Sequence, residues 1–293
     1  MKEKYIGLDI GASKINGVVF DGQLQKQVIQ AVSSKTEKAE ILKQIKEIIK
    51  ELFFSHPDIK GIGIGMPGPL DVKKNIVLNP PNLKGLAGLN LAEELGKEFD
   101  IGVLADNDGN CAALGESLFG MGKDLKNGIL IMLTLGSGVG GGIIINNKIF
   151  HGSTGSAGEL GHMVINADGP ECGCGFKGCL EVYASEKFFK RHSDLSPLEI
   201  EEKARKGDEA SIKLYSEMGF WLGLGLANIV NIFDPDIVAL GGGISHAGEL
   251  ILKPAGEEMQ KRVLSVLAKK NVKIEQSSLN KDAGAIGAAS LFL

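Results

Sequence analysis

Two stretches of the chain share one pattern. "YIGLDIGASKINGVVF" (5–20) and "ILIMLTLGSGVGGGIIIN" (129–146) each read as an apolar strand, a glycine turn and a second apolar strand. Set 125 residues apart they superimpose, with Asp9 on Thr134, Gly11 on Gly136 and Gly17 on Gly142. A hairpin repeated once per half calls for a duplicated α/β unit, with a ligand cleft expected between the halves.

The bulk numbers fit such a design. The 293 residues suffice for two lobes, and 43% hydrophobic and 23% charged residues with a net charge of -4 describe a soluble globular protein. Nothing basic invites nucleic acid. The 41 glycines are about twice the usual ~7% share, so their placement carries information. Only "MKEK" precedes the first strand, so no signal or transit sequence is expected and a cytoplasmic location follows. The longest apolar stretch, "GFWLGLGLANIVNIF" (219–233), is too short for a membrane span and is read as part of a buried helix over 209–233.

Between the hairpins, "KAEILKQIKEIIKELF" (38–53) spaces Ile41, Ile45, Ile48, Ile49 and Leu52 as one face of an amphipathic helix. A strand ending in "GMPGPLD" (65–71), a helix at 90–99, the strand "GVLADN" (102–107) and a helix over 109–119 follow. The second half adds a cysteine-rich loop, helices near 184–192 and 197–206, the long apolar helix and the strand and glycine turn "DIVALGGGIS" (236–245). A small-residue helix over 282–292 closes the chain, and "FGMGKDLKNG" reads as a linker between lobes.

Five constellations carry chemistry. The turn "DIGASK" (9–14) offers backbone N–H groups to phosphate oxygens, with Asp9 able to hold Mg²⁺ through water, although a plain hairpin would look the same. The matching turn around Thr134, Gly136, Ser137 and Gly138 strengthens the phosphate reading, and "LGGG" (240–243) is a third approach point, suited to a flat nucleoside. Asp106, Asn107 and Asp108 stand where a strand meets a helix; one of them suffices as an N-cap, which leaves a carboxylate to take a proton from a hydroxyl nucleophile. Cys111, one helix turn on, reads as a core residue.

The cysteine loop is the most specific. His162, Cys172, Cys174 and Cys179 form an H-x9-C-x-C-x4-C set, one nitrogen and three thiolates, suited to closed tetrahedral zinc and leaving no open catalytic position. Such a brace would hold the flanking Glu159 and Glu181, which are otherwise ordinary loop charges, where they and the second His162 nitrogen could bind sugar hydroxyls. His56, His151, His192 and His246 lack partner spacing and are expected at the surface; "GMPGPLD" and "NPPNL" are loops or, through Asn82, a wall of the sugar cleft.

Taken in order, "DIGASK", "GMPGPLD", "NPPNL", "DNDGNCAALGE", "LTLGSGVGGG", "GSAGELGHM", "CGCGFKGCLE" and "ALGGGIS" resemble the ROK family (repressor, open reading frame, kinase), nearest its bacterial-type glucokinases, over nearly the whole chain. The resemblance implies an α/β fold of two actin-like (ribonuclease H-like) lobes around a central cleft, residues 1–118 and 119–281, with 282–293 packed on the first. It further implies ATP, Mg²⁺ and structural zinc, a hexose phosphorylated on its 6-hydroxyl, and a homodimer. By position, Asp108 matches the catalytic base, Asn107, Glu159, His162 and Glu181 the sugar ligands, Gly11, Ala12, Ser13, Lys14 and Gly136 to Gly138 the phosphate loops, and Gly241, Gly242 and Gly243 the nucleotide-side turn.

The chain departs from the family pattern in four places. Gly11-Ala12-Ser13 replaces the usual Gly-Gly-Thr, Ser137 a common threonine, Asp106 a frequent glutamate and Leu86 a frequent tryptophan. An N-acetylated hexosamine, N-acetylmannosamine or N-acetylglucosamine, remains an alternative substrate. A sugar sensor without turnover is the alternative outside enzymes; it is disfavoured by the presence of both Asp9 and Asp108, and DNA binding by the acidic charge and the start at the first kinase strand.

Overall fold

The computed structural model describes residues 3–11, 13–31, 38–78, 80 and 83–293. The chain divides into two compact units: residues 1–124, 142–158 and 281–293, and residues 125–141 and 159–280.

The first unit opens with β1 (Lys4–Ile10), β2 (Lys14–Phe20) and β3 (Leu24–Ala31), then α1 (Lys38–Ser55), β4 (Ile59–Met66), the short pair β5 (Leu70–Asp71) and β6 (Ile76–Val77), α2 (Leu91–Phe99), β7 (Gly102–Asn107) and α3 (Asp108–Phe119). Its main sheet runs β3-β2-β1-β4-β7, with antiparallel hairpins on one side and parallel β1, β4 and β7 on the other. The apolar face of α1 is the one its spacing predicts: Ile41, Ile45, Ile48, Ile49 and Leu52 are buried. Both α2 and α3 start on asparagine caps, with Asn90 Oδ1 accepting from Glu93 N and Asn107 Oδ1 accepting from Gly109 N.

The rest of the chain supplies β8 (Ile129–Leu135), β9 (Val139–Ile145), β10 (Lys148–Ile149), α4 (Leu180–Tyr183), α5 (Glu186–His192), α6 (Pro197–Arg205), α7 (Glu209–Phe233), β11 (Ile237–Gly241), α8 (Glu249–Arg262), α9 (Val266–Asn271), β12 (Lys273–Gln276) and α10 (Ala283–Ala289). The second sheet runs β10-β9-β8-β11-β12, with β8, β11 and β12 parallel. Its order repeats that of the first sheet strand for strand, so the repeat seen in the two hairpins extends through five strands each. Helix α7 covers the predicted range, begins on an Asp208 cap and lets neighbours approach its glycines: Gly219 faces the Pro254 ring and Gly225 the Leu180 side chain. Among the described residues no helix is long and apolar enough to cross a membrane.

Residues 142–158, expected in the second lobe, belong to the first unit. The cause is contact with α3: a Cβ on Gly142 would lie 2.5 Å from Gly109 O and 2.7 Å from Ala113 Cβ. Helix α10 shows the same closeness on all sides. A Cβ on Gly7 of β1 would run into Ala285 O, one on Gly63 of β4 into Ala288 O, and one on Gly287 into Cys111 O of α3. Backbone therefore meets backbone between sheet, α10 and α3, and a methyl group has no place to go. Gly287→Ala is expected to cost about 3 kcal/mol in urea unfolding, the upper range of overpacking. Gly256→Ala in α8, where an added Cβ meets nothing within 4 Å, is expected to be neutral or to gain about 0.5–1 kcal/mol.

Candidate active site

Parallel strands present their carboxyl ends as a row, and in open α/β sheets ligands bind at such ends. In the first unit the register aligns Asp9 of β1 with Gly65 of β4, and Gly65 with Asp106 of β7. In the second unit Thr134 of β8 aligns with Gly241 of β11. The matched positions of the hairpins thus end equivalent rows.

On the first row, Gly11 N donates to Lys14 O at 2.9 Å, closing the turn, and Ser13 and Lys14 are exposed. Ala12 lies outside the described residues, as does Asn82. The Asp9 carboxyl sits against Gly284, where an added Cβ would be 2.7 Å from its Cγ. Burial pushes the Asp9 carboxyl up to about 6, with the Lys14 charge pulling the other way. Burial without a matching charge is an environment compatible with a nearby cation.

At the end of β7, Asn107 Oδ1 accepts from Gly109 N at 2.8 Å and Asn110 N at 3.3 Å, while its Nδ2 donates to Gly68 O at 3.3 Å. Asp108 is the first residue of α3, half-buried, with Oδ1 accepting from Gly109 N at 3.0 Å and Gly65 against its Cα. The side chain that caps α3 is therefore Asn107, and Asp108 begins the helix beside it. Cys111 is a buried core residue, as expected, and burial pushes its thiol well up.

On the second row, Gly136 N donates to Gly138 O at 3.0 Å, and Gly136 O accepts from Glu186 N at 2.8 Å, tying α5 to the turn that carries Ser137. Gly242 has a φ of 82° and packs on the Leu135 backbone, a conformation and closeness that suit glycine alone. An added Cβ on Gly136 or Gly243 meets nothing within 4 Å. A cavity of about 360 Å³ opens there, lined by Gly136, Glu186, Pro197, Leu198, Tyr215 and Gly243.

The cysteine loop folds into a knot. His162, Cys172, Cys174 and Cys179 bring one ligand atom each within 4.8 Å of one another, with Cys172 Sγ 3.7 Å from His162 Nδ1 and Cys174 Sγ 3.6 Å from Cys179 Sγ. Zn–S bonds of about 2.3 Å place tetrahedral sulfurs about 3.8 Å apart, so the set fits zinc. With Nδ1 turned to the thiols, His162 Nε2 faces Glu159 Oε2 at 3.9 Å, and Glu159 is exposed. Glu181 follows Cys179 in α4 and reaches the second glycine turn, its Oε2 accepting from Val139 N at 3.2 Å. Burial alone would raise the Glu181 carboxyl, but the Lys187 ammonium, 2.5 Å from Oε1, and the Val139 N–H hold it below the usual range.

Two partners escaped sequence reasoning. Lys187 belongs to α5, a separate helix from Glu181, so no single periodicity relates them. His151, expected at the surface, is half-buried, with Nε2 2.6 Å from Oδ2 of the buried Asp106. These two residues lie far apart in the chain, and no local spacing announces them.

Comparison with known proteins fits this geometry. The ROK family model matches residues 5–293, and the chain belongs to the ROK family. A glucokinase of Thermotoga maritima is 34% identical, with 99% of this chain and 97% of that protein covered. A xylose repressor of Bacillus subtilis is 32% identical, covering 98% of this chain and 76% of the repressor. The crystal structure of a ROK family glucokinase from Streptomyces griseus in complex with glucose and AMPPNP superposes with a TM-score of 0.85 at 32% identity, covering 98% of each chain. The α/β fold expected from the sequence, that of the actin-like ROK sugar kinases, is borne out.

The His151 contact sets a pH dependence. Its hydrogen bond to Asp106 outweighs burial and raises the imidazole above 6.5. A raised folded pKa means stability that is complete below pH 6.5 and is lost as pH rises through the raised value. Thermal unfolding across that window is expected to show a steeper fall for the wild type than for His151→Gln; equal slopes would contradict it.

Proposed function

We propose that the protein transfers the γ-phosphoryl group of ATP to the 6-hydroxyl of a hexose, glucose in the first place. The observation that carries this reading is Asp108, a half-buried carboxylate at the end of the parallel-strand row, in the first turn of a helix capped by its neighbour Asn107. In the proposed step Asp108 takes the proton from O6 as O6 bonds to the γ-phosphorus. The bond from that phosphorus to the β-phosphate oxygen breaks, giving hexose 6-phosphate and ADP.

The remaining residues bind and orient. The turns closed by the Gly11 N–Lys14 O and Gly136 N–Gly138 O hydrogen bonds would turn their remaining backbone N–H groups to phosphate oxygens, and Gly241–Gly243 with the adjoining cavity would receive the nucleoside. Mg²⁺, held through Asp9, would neutralise phosphate charge. Asn82, Asn107, Glu159, His162 and Glu181 are assigned to the sugar hydroxyls. Glu181 suits this role because it stays ionised though largely buried, an acceptor without competing water. Zinc on His162, Cys172, Cys174 and Cys179 is a structural brace with no open position. The same reading makes the protein a cytoplasmic homodimer of carbohydrate metabolism. The glucokinase and AMPPNP in the names of its relatives support sugar and ATP; the likeness to xylose repressors keeps a sensor without turnover as the contrasting case.

Phosphate transfer from MgATP to glucose, mannose, fructose, N-acetylglucosamine and N-acetylmannosamine tests the reading. Glucose is expected to turn over best, and Asp108→Asn to lower kcat by about 10²–10⁴-fold, the range for a lost general base, with a smaller change in sugar affinity. Preference for an acetylated sugar would move the substrate, and near-normal turnover by Asp108→Asn would remove the base. No turnover of any sugar by folded, zinc-loaded protein would favour a sensor. Chelation is expected to weaken sugar affinity by roughly 10-fold or more, as loss of groups that orient ligands does. Unchanged affinity in protein shown zinc-free by atomic absorption would refute the brace.

A further inference from the structure

The pair formed by Asp106 and His151 has no part in the roles assigned so far. Asp106 is 2% exposed, and a carboxylate so buried is costly unless each oxygen is bonded. Its two oxygens divide the work. Oδ1 accepts from Asn107 N at 2.8 Å and from Asn110 Nδ2 at 2.8 Å; Oδ2 meets His151 Nε2 at 2.6 Å. Asn110 Oδ1 is buried without a hydrogen-bond partner among the described residues, so the orientation of that amide rests on Asp106.

Both Oδ1 partners belong to the junction that presents Asp108. The Asn107 N–H is the last of β7, the Asn107 side chain caps α3, and Asn110 lies in its first turn. Loss of the His151 contact would leave Oδ2 of a buried carboxylate uncompensated. The group would then rotate or take up water, and its hold on the junction would loosen. A general base aimed slightly wrong loses rate, because proton transfer needs a defined geometry, while binding contacts elsewhere survive.

We propose that His151 is a positioning residue for the reaction: it clamps Asp106 so that Asp106 fixes the β7–α3 junction and, through it, the direction of Asn107 and Asp108. The inference rests on the reading of Asp108 as the base. His151 comes from the segment after β10, which the contact of Gly142 with α3 already draws into the first unit. The pair is also reachable. Asp106 and His151 line a cavity of about 620 Å³ shared with Leu104, Leu114, Lys148 and Leu291, ample for a free imidazole in place of the missing ring.

The experiment is steady-state kinetics of the full-length, zinc-loaded His151→Ala protein with and without imidazole at tens of millimolar, beside Asp108→Asn. Expected is a kcat lowered about 10-fold or more with the hexose KM within roughly threefold of wild type, as for a misaimed base, and recovery of most of the lost kcat on adding imidazole. A kcat within roughly twofold of wild type would overturn the proposal. So would kcat, KM and melting temperature worsening together with no response to imidazole, the mark of a merely structural contact. Should His151→Ala fail to fold, His151→Gln is expected to lose about threefold in kcat at unchanged KM, and full kcat in that variant overturns the proposal. Loss of turnover in Asp108→Asn with normal His151→Ala sinks the positioning role alone, whereas full turnover in Asp108→Asn sinks the base reading on which it stands.

Discussion

The first unit depends on backbone meeting backbone around α10. Gly7 and Gly63 of adjacent parallel strands let this helix settle directly on the sheet, and Gly287 lets α3 settle on the helix from its other side. Such close approach gains dispersion contacts that larger side chains would hold apart. It also places chemistry, since Gly284 of α10 abuts the Asp9 carboxyl and Gly65 of β4 abuts the Cα of Asp108. The final stretch of chain is thereby built into the row of strand ends laid down by the first strand.

Three carboxylates, the buried Asp106 and the half-buried Asp9 and Glu181, are handled in three ways. Asp9 is pushed up to about 6 by burial, with the Lys14 charge opposing, the state of a group suited to a cation. Asp106 is bonded on both oxygens, which suits it to holding structure. Glu181 is kept ionised against its burial by Lys187 and the Val139 N–H, which suits it to accepting hydrogen bonds at once. Environment, more than residue type, separates these roles.

Much of the candidate site was legible in the sequence because its geometry is local. A strand followed at once by a glycine turn carries its own hydrogen bonds, as Gly11 to Lys14 and Gly136 to Gly138 do. Asp108 beside a capping asparagine at a strand–helix junction is likewise a local arrangement. The spacing of His162, Cys172, Cys174 and Cys179 in a loop rich in glycine leaves few ways to fold but around one centre. Amphipathic α1 and apolar α7 were readable from period alone. Strand β3 and the short β12 were not, because β3 is mostly half-exposed and β12 is short and alternates with solvent, so neither forms a strong apolar run.

What the sequence by itself determined is the duplicated strand–turn–strand plan, the metal-type knot and the residues at strand ends, since each follows from neighbours within a turn or loop. What only the tertiary structure decided is who compensates whom. His151 reaches Asp106 from a distant segment, Lys187 reaches Glu181 from another helix, and residues 142–158 join the first unit rather than the second. The physical reason is that the cost of burying a charge depends on every group brought around it. Those groups come together only after strands, helices and glycine contacts have closed the chain on itself.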